Sequence, residues 1–196
     1  MANRFIGGVA TSKAKSGTSI SRASTGTYFD SSGVLQTAPA NQPRLNHSFV
    51  GSAWTQPAVL IEPESTNILT YSEQIDNAAW SKIALGTRTG VTANAATAPD
   101  GNTTADLVYV YNGITSTSGG AYWPYTYTLG VTYTWSCFFK YTGYQYVYMG
   151  TDNNNASCVW FNLSAGTVAT TSSGFRGTIT NVGNSWYRCE IGRAHV

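Results

Sequence analysis

Tyr133-Thr-Trp-Ser-Cys-Phe-Phe139 alternates by twos. Successive side chains of an extended strand point to opposite faces. Tyr133, Trp135, Cys137 and Phe139 therefore share one side, and Thr134, Ser136, Phe138 and Lys140 the other. The first set is apolar or aromatic apart from one hydroxyl, so it is assigned to a core. The next stretch, Tyr144-Gln-Tyr-Val-Tyr-Met149, repeats the pattern. Val147 and Met149 read as core, which turns Tyr144, Tyr146 and Tyr148 outward. Three tyrosines in a row are more than a solvated strand needs.

Similar short strands are expected at Arg88–Thr92, Ala105–Tyr111, Cys158–Asn162, Thr167–Thr170, Gly177–Thr180 and Trp186–Ile191. Asp100-Gly, Asn112-Gly, Gly119-Gly, Asp152-Asn-Asn-Asn, Ser164-Ala-Gly and Gly183-Asn punctuate them as turns. Many short strands at such spacing predict an all-β fold, a jelly-roll β-sandwich over residues 71–191. Toward the N-terminus the pattern fades. Residues 1 to 26 are rich in Ser, Thr, Gly and Lys and read as an extended arm. Strand candidates at Gly26–Asp30, Pro43–Asn46 and Val59–Glu62 lie among prolines 39, 43, 57 and 63, which suits loops and edge pairing. Residues 1–70 are therefore read as an extended, loop-rich N-terminal region. Tyr71-Ser-Glu-Gln-Ile-Asp-Asn-Ala-Ala-Trp-Ser81 is the one expected helical turn, with Ser72 at its cap position.

Composition narrows the function. Charged residues make up 10% of the 196, and eleven Lys+Arg nearly balance nine Asp+Glu. That leaves no basic footprint for nucleic acid. No stretch approaches the roughly 20 apolar residues that span a bilayer, and Met1-Ala-Asn-Arg-Phe-Ile does not read as a signal peptide. Cys137, Cys158 and Cys189 have no CxxC spacing and no nearby His, so they read as buried thiols and not as metal ligands. No nucleophile, phosphate-loop or zinc-protease motif occurs. A glycosidase needs paired carboxylates. Glu62 and Glu64 alternate beside Pro63, outside any cleft, and read as exposed or Arg-paired. No catalytic residue is assigned.

Aromatic residues fit binding better. Sugar rings offer apolar C–H faces on which aromatic planes stack, while polar neighbours bond the hydroxyls. Gly119-Gly-Ala-Tyr-Trp-Pro-Tyr-Thr-Tyr-Thr128 sets Tyr122, Trp123, Tyr125 and Tyr127 in a Pro-tethered loop. Tyr122, Trp123, Tyr125, Tyr146 and Tyr148 are the candidate glycan-binding residues. Packing of the loop rings over the sandwich end is the competing reading. Asn153, Asn154 and Asn155 form a polar loop, read as a turn or as a hydrogen-bonding edge.

Several segments carry a resemblance. Ala23-Ser-Thr-Gly-Thr-Tyr-Phe-Asp-Ser-Ser-Gly-Val-Leu-Gln-Thr-Ala-Pro-Ala-Asn-Gln-Pro-Arg-Leu45, Leu60-Ile-Glu-Pro-Glu-Ser-Thr-Asn-Ile-Leu69 and Tyr71–Lys82 resemble a region of tailed-bacteriophage tail fibre and tailspike proteins. Ala98-Pro-Asp-Gly-Asn-Thr-Thr-Ala-Asp106, Val159–Val168 and Gly183-Asn-Ser-Trp-Tyr-Arg-Cys189 resemble the jelly-roll carbohydrate-binding-type module that follows in them. The resemblance spans about residues 19 to 191. It implies a virion component, assembled in the host cytoplasm with other phage tail proteins. Such a component contacts host cell-surface polysaccharide, often as a homotrimer. It equally admits a structural spacer or trimerisation module, or a piece of a polysaccharide-degrading tailspike. Such modules often hold a structural calcium. Here only Asp100 and Asp106 offer carboxylates, against the six to eight oxygens calcium takes, so plain turn chemistry is preferred and no cofactor is assigned. Trp186 is expected in the core, and Arg188 in a local pair at the sheet rim. The ending Glu190-Ile-Gly-Arg-Ala-His-Val196 departs from the continuation the resemblance implies. It can be encoded by GAG ATC GGA AGA GCA CAC GTC, which contains the start of a common short-read sequencing adapter. Residues 191–196 are accordingly expected to be non-native read-through on a truncated metagenomic gene, leaving His195 without functional weight.

Overall fold

The computed structural model describes residues 19–62, 65–83, 87–111, 119–151 and 157–194. The protein is all-β, with no helix among the described residues. It divides into two compact units, with the boundary between Glu62 and Pro63.

The first unit is built from hairpins and loops. β1 (Gly26–Phe29) and β2 (Leu35–Ala38) pair antiparallel, with Phe29 opposite Leu35. Their connection is organised by Asp30, whose Oδ1 accepts the N–H groups of Ser32 at 2.8 Å and Val34 at 3.0 Å. Gly33 takes φ +80 there, and a Cβ on it would run into the Trp54 indole. Both facts require glycine. β3 (Leu45–Asn46) pairs with β6 (Ala58–Val59), and β4 (Phe49–Val50) with β5 (Ala53–Trp54). Phe29 and Phe49 lie 5.4 and 5.3 Å from Trp54, and this aromatic trio is the unit's apolar centre. The Arg22 guanidinium donates to the carbonyls of Ser24, Ala38, Pro39 and Gln42. The strand expected over Val59–Glu62 is shorter than its apolar run: the pairing with β3 ends once Leu60 has donated to Arg44 O at 2.9 Å.

The second unit carries the main core. The segment expected to be a helical turn, 71–81, is not helical. Three successive i to i+3 bonds, from Gln74 to Tyr71, Asn77 to Gln74 and Trp80 to Asn77, make a run of tight turns. Side chains compete with the helix here. Asn77 Oδ1 takes the Ala79 N–H at 2.9 Å, and the Asp76 N–H is drawn to Asp106 Oδ2 at 3.1 Å. β7 (Ser81–Lys82) follows, then the hairpin of β8 (Thr89–Ala96) and β9 (Ala105–Val110), whose register shifts between Thr92 and Ala96. β10 (Ala121–Tyr122) returns to pair with β7.

Two three-stranded antiparallel sheets complete the unit. In one, β11 (Thr132–Lys140) and β15 (Arg176–Asn181) flank β16 (Trp186–Ala194). In the other, β12 (Tyr146–Gly150) and β14 (Thr167–Thr171) flank β13 (Cys158–Asn162). Their apolar faces meet in one core of Met149, Val159, Phe161, Leu163, Phe175, Cys189 and Ile191, with Trp135, Cys137, Phe139, Val147, Ile179 and Tyr187 packed against it. The period-2 assignment of Trp135, Cys137, Phe139, Val147 and Met149 to the core therefore holds, but Tyr133, assigned with them, lies outside that core and packs against Tyr125 and Tyr127. Trp186 is also buried, its indole N–H reaching Thr97 O at 3.2 Å, and Arg188 pairs with Glu190 at 3.0 Å. β16 continues to Ala194: Ile191 is 3% exposed in the core, and Gly192 and Ala194 stand opposite Thr134 and Thr132. His195 lies outside the described residues, as do residues 1–18 of the arm.

Candidate functional site

The register of the β12–β13–β14 sheet assembles an aromatic face. Val147, Met149, Val159 and Phe161 turn into the core, so Tyr146, Tyr148 and Trp160 turn out. Tyr148 stands directly opposite Trp160, and Trp160 opposite Thr170. The Tyr148 and Trp160 rings lie 4.9 Å apart, tilted by 39°. A register shift between Trp160 and Phe161 disturbs the pairing with β14. Beside it an open concavity of about 480 Å³ is lined by Tyr146, Trp160, Ala169 and Thr170. Tyr146 is half exposed. Its hydroxyl receives the Gln145 side-chain N–H at 3.4 Å, which leaves the phenolic proton free to donate. Among the described residues, the Trp160 indole N–H and the Thr170 hydroxyl have no protein partner. The site thus joins two aromatic planes to three hydrogen-bonding groups.

Tyr146 and Tyr148 are thereby brought together, and Trp160 is the neighbour that sequence reading missed. The signal lay in Cys158-Val-Trp-Phe-Asn162, but an almost unbroken apolar run does not reveal which alternate is outward. The pairing partner decides it.

The loop aromatics gather elsewhere, around β10 and β11. Trp123 is half-buried, edge-on to Trp80 at 5.3 Å, and Trp80 is itself buried with its N–H on Tyr71 O at 2.8 Å. Tyr125, Tyr127 and Tyr133 form a triad with centroids 5.1 to 5.8 Å apart. The Tyr133 hydroxyl accepts the Thr128 N–H at 3.1 Å, and Thr128 holds this phenol below its usual pKa. Its hydrogen bond to Tyr125 pushes the Tyr125 phenol up. Trp123 is thus committed to packing, whereas Tyr125 stays 37% exposed although its ring contacts Tyr127 and Tyr133. Tyr122, 39% exposed, is the freest ring of the loop. The Asn153–Asn155 loop lies outside the described residues.

Asp100, Asp106 and Glu62 are committed to structure. Asp100 Oδ1 accepts the Asn102 N–H at 3.0 Å, and its Oδ2 accepts the Asn102 side chain at 2.8 Å, around Gly101 at φ +84. Asp106 takes the N–H groups of Asp76 and Asn94, fastening the turns of 71–80 to β8. No group of three or more His, Cys, Asp or Glu side chains suited to a metal occurs among the described residues. Glu62 is salt-bridged to Arg44 at 2.6 Å, and Glu64 lies outside the described residues. Cys137 and Cys189 face each other across β11 and β16. Burial pushes both thiols up to about 12, with the neighbouring Cys137 and Glu190 adding to the shift of Cys189. Thiols in that state are poor nucleophiles near neutral pH.

Comparison with protein-family models and with curated proteins returned no match.

Proposed function

We propose that this chain is a tail fibre or tailspike component of a tailed bacteriophage, and that it recognises a host surface glycan without cleaving it. A jelly-roll module carries the recognition in this reading. The single observation that carries it is the outward Tyr148–Trp160 pair beside the concavity lined by Tyr146, Ala169 and Thr170. Outward aromatic planes with nearby free hydroxyl and N–H donors are what a sugar ring requires. The resemblance of residues 19–191 to tail fibre segments supports the biological setting. A glycan array probed with the chain and with Trp160→Ala tests it. Specific signals that vanish in the variant are expected, and no signal on any glycan would remove the reading.

A second reading, a spacer or trimerisation module of the virion, draws on a different observation. In the first unit Ile61 is 86% exposed, Val50 65% and Val59 48%. Apolar side chains left open on small sheets are suited to burial against other copies of the chain. Sedimentation equilibrium distinguishes a trimer from a monomer.

A further inference from the structure

The sheet that bears the aromatic face is nearly free of charge. From Tyr141 to Phe175 the sequence holds one ionisable acid, Asp152, and no Lys, Arg or His. β12, β13 and β14 carry no Asp, Glu, Lys, Arg or His at all. The concavity is lined by Tyr146, Trp160, Ala169 and Thr170, none of them ionised at neutral pH. Among the described residues the cations lie on other elements: Lys140 sits 5.7 Å over the Trp186 ring, Arg188 is paired with Glu190, Arg44 is paired with Glu62, and Arg176 begins β15 beyond the 172–175 turn that follows β14.

Resting on the glycan-binding reading above, we infer that the groove takes a neutral hexopyranose segment and discriminates against acidic sugars. The physical reason is desolvation. A carboxylate brought against the Tyr148 and Trp160 rings loses hydration and meets no cation of β12, β13 or β14 in return. A neutral pyranose loses little by the same move. Its C–H face covers the indole, while its hydroxyls meet the Trp160 N–H, the Tyr146 phenol and the Thr170 hydroxyl. These are one donor-only group and two that both donate and accept, a set matched to sugar hydroxyls and not to anions. The concavity of about 480 Å³ is open on one side and has room for a sugar ring against Trp160.

Binding of neutral oligosaccharides of glucose, galactose and mannose is followed by tryptophan fluorescence or calorimetry beside matched uronic-acid oligosaccharides. The variants are Trp160→Ala, Trp160→Phe and Tyr146→Ala, with a thermal melt for each. The inference expects binding to at least one neutral series, unchanged between about 50 and 500 mM salt because no ion pair is screened. It expects a loss of about tenfold or more in Trp160→Ala and Tyr146→Ala, and partial retention in Trp160→Phe. Tyr146 is half exposed, so its variant keeps the test valid where Trp160→Ala fails to fold. Binding to acidic series alone, or affinity that falls steeply with salt, overturns the neutral-sugar inference and leaves glycan recognition standing. Neutral binding that all three variants retain also overturns it, because the site then lies elsewhere. Absence of binding to both series overturns the glycan reading itself.

Discussion

The two units hold their shape by different means. Of the thirteen buried apolar side chains among the described residues, Phe29 and Ala38 belong to the first unit and the rest to the second. The second unit closes two sheets over an apolar core, so its stability comes from area removed from water. The first unit relies on polar clamps: Arg22 on four carbonyls, Asp30 on its own hairpin, Asn46 on the Phe29 N–H, and Arg44 on Glu62. Each such bond has a small net worth in water. Polar clamps fix the course of a chain, whereas an apolar core makes its unfolding cooperative.

The contrast is broken most severely in the core. Phe161→Ala should cost about 3–5 kcal/mol, and chemical denaturation followed by tryptophan fluorescence reads the loss. Indifference to this change would mean that the two sheets do not share one core. A smaller effect is expected from Arg22→Ala, about 1–3 kcal/mol for a charged group with several carbonyl partners. It should appear as faster proteolytic cutting within residues 19–62, while the β11–β16 region stays protected. Equal protection of both units in the parent chain would erase the distinction. Iodoacetamide offers a kinetic version. Cys137 and Cys189, pushed up to about 12, should react slowly at pH 8 and fast once the second unit is unfolded. Rapid labelling of folded protein would show an open core.

The gentlest perturbation is acid. Burial opposes ionisation of Asp30, yet hydrogen bonds from Val34, Gln36 and Ser32, with the charge of His47, more than offset it and hold the carboxyl below its ordinary value. A carboxyl lowered on folding stabilises the folded state above its unfolded pKa, and that contribution is lost as pH falls through the folded value. The first unit should therefore loosen below about pH 4, seen as new proteolytic sites or amide exchange at Ser32 and Val34. Asp30→Asn should flatten this dependence, and an unchanged acid response in that variant would reassign it to another group.

These differences also explain what was legible in the sequence. Strands of the second unit announce themselves by period 2, and β13 begins and ends where its sequence pattern does. β8 runs on to Ala96 past the expected end at Thr92, because the pairing shifts instead of stopping, with Asn94 at φ +53 held by Asp106. β7 and β10 are two residues each, too short for any period to register, and exist only through pairing with each other. The turns of 71–80 carry helix-compatible residues whose backbone is claimed by Asn77 and by the distant Asp106. Half of the candidate site followed from Tyr146 and Tyr148, because their alternates Val147 and Met149 are plainly apolar. Trp160 did not, since its neighbours on both sides are apolar too.

The placement of β16 has a consequence in time. β11 and β15 touch it on either side, and neither is bonded to the other. β15 meets it through the short turn of residues 182–185, whereas β11 must wait for it across residues 141–185. Pairings that span long stretches of chain are slow to form, and an unpaired strand is open to a wrong partner while it waits. Refolding of this sheet should accordingly be governed by the arrival of β16, with Ile191 and Cys189 carrying the last apolar contacts into place. Substitutions in β16 would then slow refolding more than equally destabilising ones in the β13–β14 hairpin, whose partners meet as soon as they are made.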